Sequence, residues 1–183
     1  MKKASSLLAA FVVLMTVGCA SVPRSSARPD WVMKGTGAFN TQGKKVLYGV
    51  GIADQITSES LRRTTADNRA IAEISKQLSV MSTTLMRDYQ ASTSATEADK
   101  QSGEQYVENT GKTFTSNTIS GVKIIDRSDD GKVAYSLATL DLNDLKSMTD
   151  QVNQLSAQVR DYIKANAEKA FDKLETEQSK QSK

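Results

Sequence analysis

The sequence predicts an α+β fold, in which a strand, a long helix and a β-hairpin are followed by a long C-terminal amphipathic helix. Apolar residues alternate at period two over residues 45–53, and they recur at spacings of three and four over residues 61–89 and 145–174. Asp130 and Gly131 form an Asp-Gly pair between two further apolar runs, which indicates a hairpin turn. Aromatic residues make up only 5% of the chain, which favours helices over an all-β sandwich.

The first strand, at residues 45–53, has one bulky and one small face. The two sets alternate along the strand, as Val46, Tyr48, Val50 and Ile52 against Leu47, Gly49, Gly51 and Ala53. Glycine inside a strand usually marks the close approach of another backbone, so we expect a helix or strand against the small face. Neither this glycine pair nor the pair at residues 35 and 37 is followed by the third glycine of a dinucleotide-binding turn, so both are predicted to be structural.

A long amphipathic helix is predicted to begin after Thr57 or Ser58, either of which can serve as its N-cap. Its apolar stripe comprises Leu61, Ala66, Ala70, Ile71, Ile74, Leu78, Met81, Leu85 and Tyr89. The opposite face carries charges of both signs, among them Arg62 and Asp67, and is predicted to be solvated.

Residues 92–118 are polar and leave two interpretations open. Ser94 and Glu97 have the spacing of a capping box, which predicts a second helix over about residues 96–109. The glycines within the segment favour instead a polar surface excursion.

The predicted hairpin has a short strand that begins near Val122 and ends at Asp126, a turn over residues 128–131, and a second strand over residues 133–140. The acidic turn lacks the spaced ligands and the distal Glu of a calcium loop, so no metal is expected there.

The last predicted element is a long helix that begins near Asp141 or Asn143. Its stripe comprises Leu145, Met148, Val152, Leu155, Val159, Ile163, Ala167, Ala170, Phe171 and Leu174. From Asn143 to Gln178 an uninterrupted helix would be about 54 Å long. Two interpretations follow: part of the stripe projects and binds a partner, such as another copy in a coiled coil, or it folds back on the first helix.

Residues 1–18 have the order of a bacterial secretory signal, with two lysines, an apolar run and then Gly18. The run is too short to remain as a membrane span. Cys19, the only cysteine, directly follows Gly18 and resembles the lipobox of bacterial lipoproteins, in which cleavage leaves cysteine first and acyl chains such as palmitate anchor it to the membrane. The lipobox favours Leu where Thr16 stands, so slower cleavage and absent acylation are the alternatives.

The expected domain order begins with a signal peptide over residues 1–18 and a tether over 19–30, which contains two prolines and no apolar periodicity. An α+β domain over 31–142 and a C-terminal helix with a polar tail over 143–183 follow. Ala20 takes the second position of the mature chain, and the lack of Asp there resembles the outer-membrane address of lipoproteins in diderm bacteria.

The chain has little catalytic chemistry. It contains no histidine, and its one cysteine is predicted to be acylated, so no catalytic residue, cofactor or metal is expected. The carboxylates of Asp126, Asp129 and Asp130 remain for an enzyme, but nothing marks a cleft around them. Removal of residues 1–18, which contain two lysines, lowers the formal net charge from +3 to +1, so no attraction for nucleic acid is expected.

Several short motifs together carry a family resemblance. They are Cys19, Pro29-Asp30-Trp31, Tyr48-Gly49-Val50-Gly51-Ile52-Ala53, the alanines at 66, 70 and 72, and Tyr135-Ser136-Leu137-Ala138. Over about Pro29 to Leu142 the chain resembles the Lpp-twenty-like outer-membrane lipoprotein family. The resemblance implies an α+β domain in which the strand and the hairpin form a small antiparallel sheet with the helix across it. It carries over no catalytic residue, and Cys19 is the functional position that transfers.

The expected function is that of a membrane-anchored, non-enzymatic envelope lipoprotein that acts as a structural or assembly module. One branch of the family supports motility at the flagellum, which implies a flagellar association as one option. The expected partners are the outer membrane, through the lipid anchor, and a second copy or an envelope protein, through the C-terminal helix, with the domain facing the periplasm. The alternative is a periplasmic binding module that uses the small strand face as a pocket for a lipid or an envelope polymer.

Overall fold

A computed structural model describes residues 28–41, 43–93 and 100–181 of the chain. Within these residues the chain forms five α-helices and one four-stranded antiparallel sheet, which confirms the predicted α+β class. The helices are α1 (Asp30–Lys34), α2 (Glu59–Thr93), α3 (Lys100–Thr118), α4 (Leu142–Thr149) and α5 (Ala157–Gln181). The strands are β1 (Gly37–Thr41), β2 (Lys44–Ala53), β3 (Lys123–Asp129) and β4 (Ala134–Asp141). The predicted signal segment, Gly18, Cys19 and the capping pair Ser94 and Glu97 lie outside the described residues.

The strand order across the sheet is β1-β2-β4-β3. Tyr48 of β2 lies opposite Gly37 of β1 on one side and Thr139 of β4 on the other. The sequence pattern did not predict β1, which contains one large apolar side chain, Phe39, and so shows no alternation. Gly43, at a φ of 78°, lies between β1 and β2, where a positive φ favours glycine.

The small face of β2 is covered by α2. A Cβ at Gly49 or at Gly51 would overlap the backbone carbonyl oxygens of Ala70 and Ala66, respectively. The predicted close approach of a helix is therefore confirmed, and it fills the face that the alternative function would use as a pocket. We call this side of the sheet the inner face, and the side with Val46, Tyr48, Val50 and Ile52 the outer face.

The α2 stripe is buried as predicted except at its beginning and near its end. Leu61 is 57% exposed, whereas Arg62, predicted to be solvated, is 3% exposed. The prediction was wrong at these two positions because Arg62 has polar partners beneath it, in Asp129 and in the carbonyl oxygen of Ile56. Ser58 carries the cap, since its hydroxyl accepts a hydrogen bond from the amide of Leu61 at 3.4 Å.

Helix α3 follows the polar segment and packs along α2, so the helical interpretation of this region is correct, although the helix runs to Thr118. Phe114 is fully buried in the core. Gly111 lies inside the helix, where an added Cβ would be 3.3 Å from the hydroxyl of Ser82 in α2. This glycine therefore allows the two helices to approach closely rather than marking an excursion.

Strand β3 extends three residues beyond the predicted end at Asp126. Arg127 and Asp129 pair with Ser136 and Ala134 of β4, so part of the predicted turn is strand. Charged residues at these positions suggested a β-turn. The side chains of Arg127 and Asp129 instead point to the inner face of the sheet, where they bind α2. The side chain of Asp130 closes the turn by accepting hydrogen bonds from the amides of Lys132 and Val133, and Gly131 has a φ of 91°.

The C-terminal helix is interrupted rather than continuous, because α4 ends at Thr149 and α5 begins at Ala157. Asp141 caps α4 by accepting a hydrogen bond from the amide of Asn143 at 2.7 Å. Val152 and Leu155 lie in the interruption and are still buried, so the sequence spacing concealed the break. The stripe of α5 enters the same core as α2 and the sheet, which is the folded-back arrangement.

The outer edge of β1 is covered by α5. The amide of Ala38 donates a hydrogen bond to Oε1 of Gln178 at 2.7 Å, and the amide of Asn40 donates to Oε1 of Glu175 at 3.1 Å. Nζ of Lys45 lies 2.5 Å from Oδ1 of Asp172. The last helix therefore satisfies backbone groups that an edge strand otherwise leaves open.

Candidate functional site

Helix α1 crosses the outer face of the sheet and is fixed at its N-terminal end by Trp31. The indole N–H of this residue donates a hydrogen bond to Oδ2 of Asp126 in β3 at 2.8 Å. Helix α1 contacts β4, where Tyr135 and Leu137 are only 6% and 5% exposed although they point to the outer face. The indole N–H thus has a partner within the protein, which fits a structural role for this aromatic.

The C-terminal end of α1 is held on the same outer face, over β1 and β2 at the opposite edge of the sheet. Nζ of Lys34 lies 4.1 Å from the ring centroid of Phe39 and 5.2 Å from that of Tyr48, and the two rings are 5.5 Å apart. These distances are those of cation–π contacts. The hydroxyl of Thr36 then accepts a hydrogen bond from the amide of Val50 at 2.9 Å. Helix α1 is thus a strap, fixed over β3 at one end and over β1 and β2 at the other.

The strap leaves the two ends of the outer face open. Ile52, at one end, is 43% exposed, and Ile125, at the other, is 56% exposed. Ile125 lies in a bulge, because the register between β3 and β4 shifts between Ile124 and Asp126. An open depression beside Ile125 is lined by Val46, Tyr48, Lys123, Thr139, Asp141 and Asp144.

Two ionic clusters join α2 to the hairpin on the inner face, and the first is nearly buried. Nη2 of Arg62 lies 2.9 Å and 3.0 Å from the two carboxylate oxygens of Asp129, and Nη1 donates to the carbonyl oxygen of Ile56 at 2.8 Å. The two side chains are 4% and 10% exposed. Burial acts to raise the pKa of Asp129, but the hydrogen bonds from Arg62 and from the amide of Gly131 outweigh it and lower that pKa.

The second cluster has Asp67 at its centre. Its carboxylate accepts hydrogen bonds from Nε and Nη2 of Arg127 at 2.9 Å and 3.0 Å, and from the hydroxyl of Ser136 at 2.6 Å. Burial alone would raise the pKa of Asp67, but the bonds from Arg127 and Ser136 prevail and lower it. The carboxylate therefore stays ionised at neutral pH and holds α2 to both strands of the hairpin.

The three carboxylates considered for catalysis have structural partners. Asp126 binds Trp31, Asp129 binds Arg62, and Asp130 closes the hairpin turn. The bonds from the amides of Val133 and Lys132 lower the pKa of Asp130, and that of Asp129 is lowered too, so neither is a proton donor at neutral pH. In the part of the chain that the structure describes, no three His, Cys, Asp or Glu side chains are grouped to hold a metal ion.

The predicted site residues Gly18 and Cys19 lie outside the described residues, so their cleavage and acylation stay predictions. The structure instead brings together Trp31, Lys34, Phe39, Tyr48 and Asp126 around the strap. These residues were missed because they come from separate segments with no common spacing. The one usable signal was Trp31, the only tryptophan, placed directly after the predicted tether.

No helix within the described ranges is long and apolar enough to cross a membrane. In a comparison with known families, the family model described as LPP20 lipoprotein matches residues 29–141. The matched range extends from the residue before α1 to the end of β4, so it includes the strap, the sheet and α2. No curated protein matches the chain.

Proposed function

We propose, from the premise that the chain belongs to the LPP20 lipoprotein family and is thus an envelope lipoprotein, that it is a non-enzymatic structural or assembly module. In this proposal a lipid on Cys19 holds it at the outer membrane, and the domain faces the periplasm. The match covers more than half of the chain, whereas Cys19 lies before the matched range. The order of basic residues, apolar run, Gly18 and Cys19 supports the anchor.

The proposed structural role rests on one observation: the partly buried carboxylates are bound by arginine side chains of the same chain. The carboxylates of Asp67 and Asp129, which would be the partly buried candidates for chemistry, each accept at least two hydrogen bonds from an arginine. These bonds connect α2 to the hairpin and engage both carboxylates in structural contacts. The domain is therefore suited to hold a position rather than to transform a substrate.

A partner is proposed to bind the exposed face of α5, which assigns the predicted contact of the C-terminal helix to a particular surface. The apolar stripe of α5 is buried within the chain, so this contact would use exposed charged side chains such as Lys169 and Lys173. The partner is a second copy or an envelope protein, and a flagellar location is the option that the family resemblance suggests. The alternative, a periplasmic binding module, loses support because α2 fills the small face of β2.

The anchor is tested by labelling cells with palmitate while they express either the full chain or the Cys19→Ala variant. The proposal expects label and membrane retention in the full chain and loss of both in the variant. Equal retention of the two proteins would refute the anchor.

The assembly role is tested by crosslinking intact envelopes that contain the full chain or the Lys169→Glu/Lys173→Glu variant. Removing all residues after Asp150 would delete core side chains and unfold the protein, so a surface variant is the sharper tool. The proposal expects crosslinked species to disappear in the variant, and motility scored in the same cells tests the flagellar option. Unchanged crosslinks would exclude α5 as the contact surface.

A further inference from the structure

The chain enters the described structure on the outer side of the sheet. Arg28 and Pro29 directly precede α1, and the carbonyl of Pro29 accepts a hydrogen bond from the amide of Val32 at 2.9 Å. Because α1 lies on the outer face, the segment that leads back to Cys19 attaches to this side. The ten Cα–Cα steps from Cys19 to Pro29 can span at most about 35 Å. A lipid on Cys19 would therefore bring the outer face, rather than the helical layer behind the sheet, closer to the bilayer on average.

The same side carries exposed apolar side chains. Met33 on α1 is 75% exposed, and Ile52 and Ile125 at the open ends of the outer face are 43% and 56% exposed. They are three of the six large apolar side chains that are exposed within the described ranges, and the other three, Leu61, Val80 and Tyr106, lie on α2 and α3. Exposed apolar side chains on one side of a protein can enter the boundary between lipid headgroups and acyl chains.

The charged groups of the outer side have both signs, with Lys34 and Lys123 against Asp126, Asp141 and Asp144, so they give this side no net positive charge. Lys123 pairs with Asp144 at 2.8 Å, Asp126 accepts the Trp31 indole, and Asp141 caps α4. Electrostatic attraction to anionic lipid is therefore weak, and three apolar side chains alone give a weak contact with a bilayer. A short tether raises the effective concentration of the bilayer to the millimolar range, so a weak contact becomes persistent when the protein is anchored.

We propose that the outer face, with the α1 strap, is the surface that rests on the lipid headgroups of the membrane that holds the chain. This inference rests on the proposed lipid anchor on Cys19. It places Met33 and Ile125 at the bilayer surface and directs α2, α3 and α5 away from it. The exposed face of α5 is then free to meet an envelope partner.

The test uses the full chain, acylated and reconstituted into vesicles of phosphatidylethanolamine and phosphatidylglycerol. Acylation blocks Cys19, the only cysteine, so a fluorophore attaches solely at a cysteine introduced by Met33→Cys, by Ile125→Cys or by the control Val80→Cys. Val80 is a matched control because it is apolar, 50% exposed and on α2, behind the sheet. Quenching by a lipid that carries a quencher near its headgroup is expected to be at least roughly threefold stronger at positions 33 and 125 than at 80.

Equal quenching at the three positions, with the protein still bound to the vesicles, would overturn the orientation while leaving the anchor intact. Low quenching at positions 33 and 125 together with crosslinks between two copies would also overturn it, because a second copy would then cover the face. Labelling of the parent chain at Cys19, or release of the protein from the vesicles, would instead refute the proposed anchor and with it the premise of the inference.

A second measurement needs no introduced cysteine. Trp31 is the only tryptophan, so brominated lipids that quench its fluorescence report the position of the strap. The Met33→Asp/Ile125→Asp variant changes only exposed positions and is expected to keep its thermal unfolding midpoint. Quenching of Trp31 is expected to fall in this variant, whereas the Val80→Asp control is expected to match the parent chain. Unchanged quenching in the charged variant would contradict the proposed contact.

Discussion

Gly51 of β2 lies against Ala66 of α2 so closely that a Cβ at the glycine would overlap the backbone carbonyl oxygen of the alanine. The neighbouring atom belongs to a helix backbone, which cannot rotate away as a flexible side chain can. The close approach of α2 to the sheet therefore depends on the absence of a side chain at Gly51, as it does at Gly49.

We predict that Gly51→Ala lowers the free energy of unfolding by about 3 kcal/mol or more, because the added methyl forces α2 away from β2. Urea denaturation measures this loss. Gly43→Ala is the control, since it adds a methyl in open space at a φ of 78° and so tests backbone strain alone. The control is expected to cost about 1–2 kcal/mol. Similar losses in both variants would contradict the close packing.

Arg62→Met is predicted to destabilise the protein by about 3–5 kcal/mol, because it leaves the carboxylate of Asp129 buried without its charged partner. Arg63→Met is the neighbouring control: Arg63 is 50% exposed and lies 3.7 Å from Asp129, so its loss is expected to cost less than about 1 kcal/mol. Chemical denaturation of both variants at neutral pH compares them. Equal effects would show that the Arg62 pair contributes no more than a surface contact.

Asp67 is predicted to stabilise the protein at neutral pH and to lose this contribution in acid. Its pKa is lowered in the folded state, so the stabilisation is complete above the pKa of an unfolded Asp, about 3.9, and is lost as the pH falls through the folded value. The difference in unfolding free energy between the parent chain and Asp67→Asn should be largest near neutral pH and should shrink below about pH 4. Urea titrations across this range measure it. Ser136→Ala, which removes one donor, should show a smaller difference of the same sign, and a constant difference would contradict the assignment.

Phe171→Ala is predicted to lower the free energy of unfolding by about 3–5 kcal/mol, because Phe171 is fully buried in the core shared by α5, α2 and the sheet. The loss should appear in a single cooperative transition followed by circular dichroism. Lys173→Ala, on the exposed side of the same helix, should leave the transition unchanged. A separate early transition for α5 would mean that this helix folds independently of the sheet.

The Glu175→Leu/Gln178→Leu variant is predicted to associate through the edge of β1. It removes the acceptors for the amides of Ala38 and Asn40 while keeping side chains of similar size. Unpaired amides on an edge strand favour pairing with another chain. Light scattering and size-exclusion chromatography should therefore show larger species than for the parent chain. Lys112→Leu adds an apolar group on α3, away from both the β1 edge and the proposed α5 contact surface, and equal association in that variant would implicate hydrophobicity instead.

The sequence predicted an element correctly where a single residue pattern indicates both its secondary structure and which of its faces is buried. The period-two run of β2 with Gly49 and Gly51 indicated both the strand and the helix against it, and the helix did follow. Asp130 and Gly131 located the hairpin because the turn needs a residue with a positive φ, and this requirement is local to the turn.

The errors have a common physical origin in partners that are distant in the sequence. Arg62 looks solvated until Asp129 is placed beneath it. Strand β1 contains one large apolar side chain, Phe39, and therefore shows no alternation, so its partners in β2 and α5 are what define it. The break between α4 and α5 was hidden because Val152 and Leu155 remain buried without being helical. The outer-face strap depends on contacts such as that of Trp31 with Asp126, which are 95 residues apart.

The hydrogen bonds from β1 to Gln178 and Glu175 join residues 140 and 135 positions apart, so nearly the last described turn of the chain completes the first strand. Contacts of such long range form late and slow folding. During synthesis, the edge of β1 cannot form its hydrogen bonds with α5 until that last helix has left the ribosome. If residues 1–18 direct secretion as predicted, this delay would favour an unfolded chain at the moment of translocation.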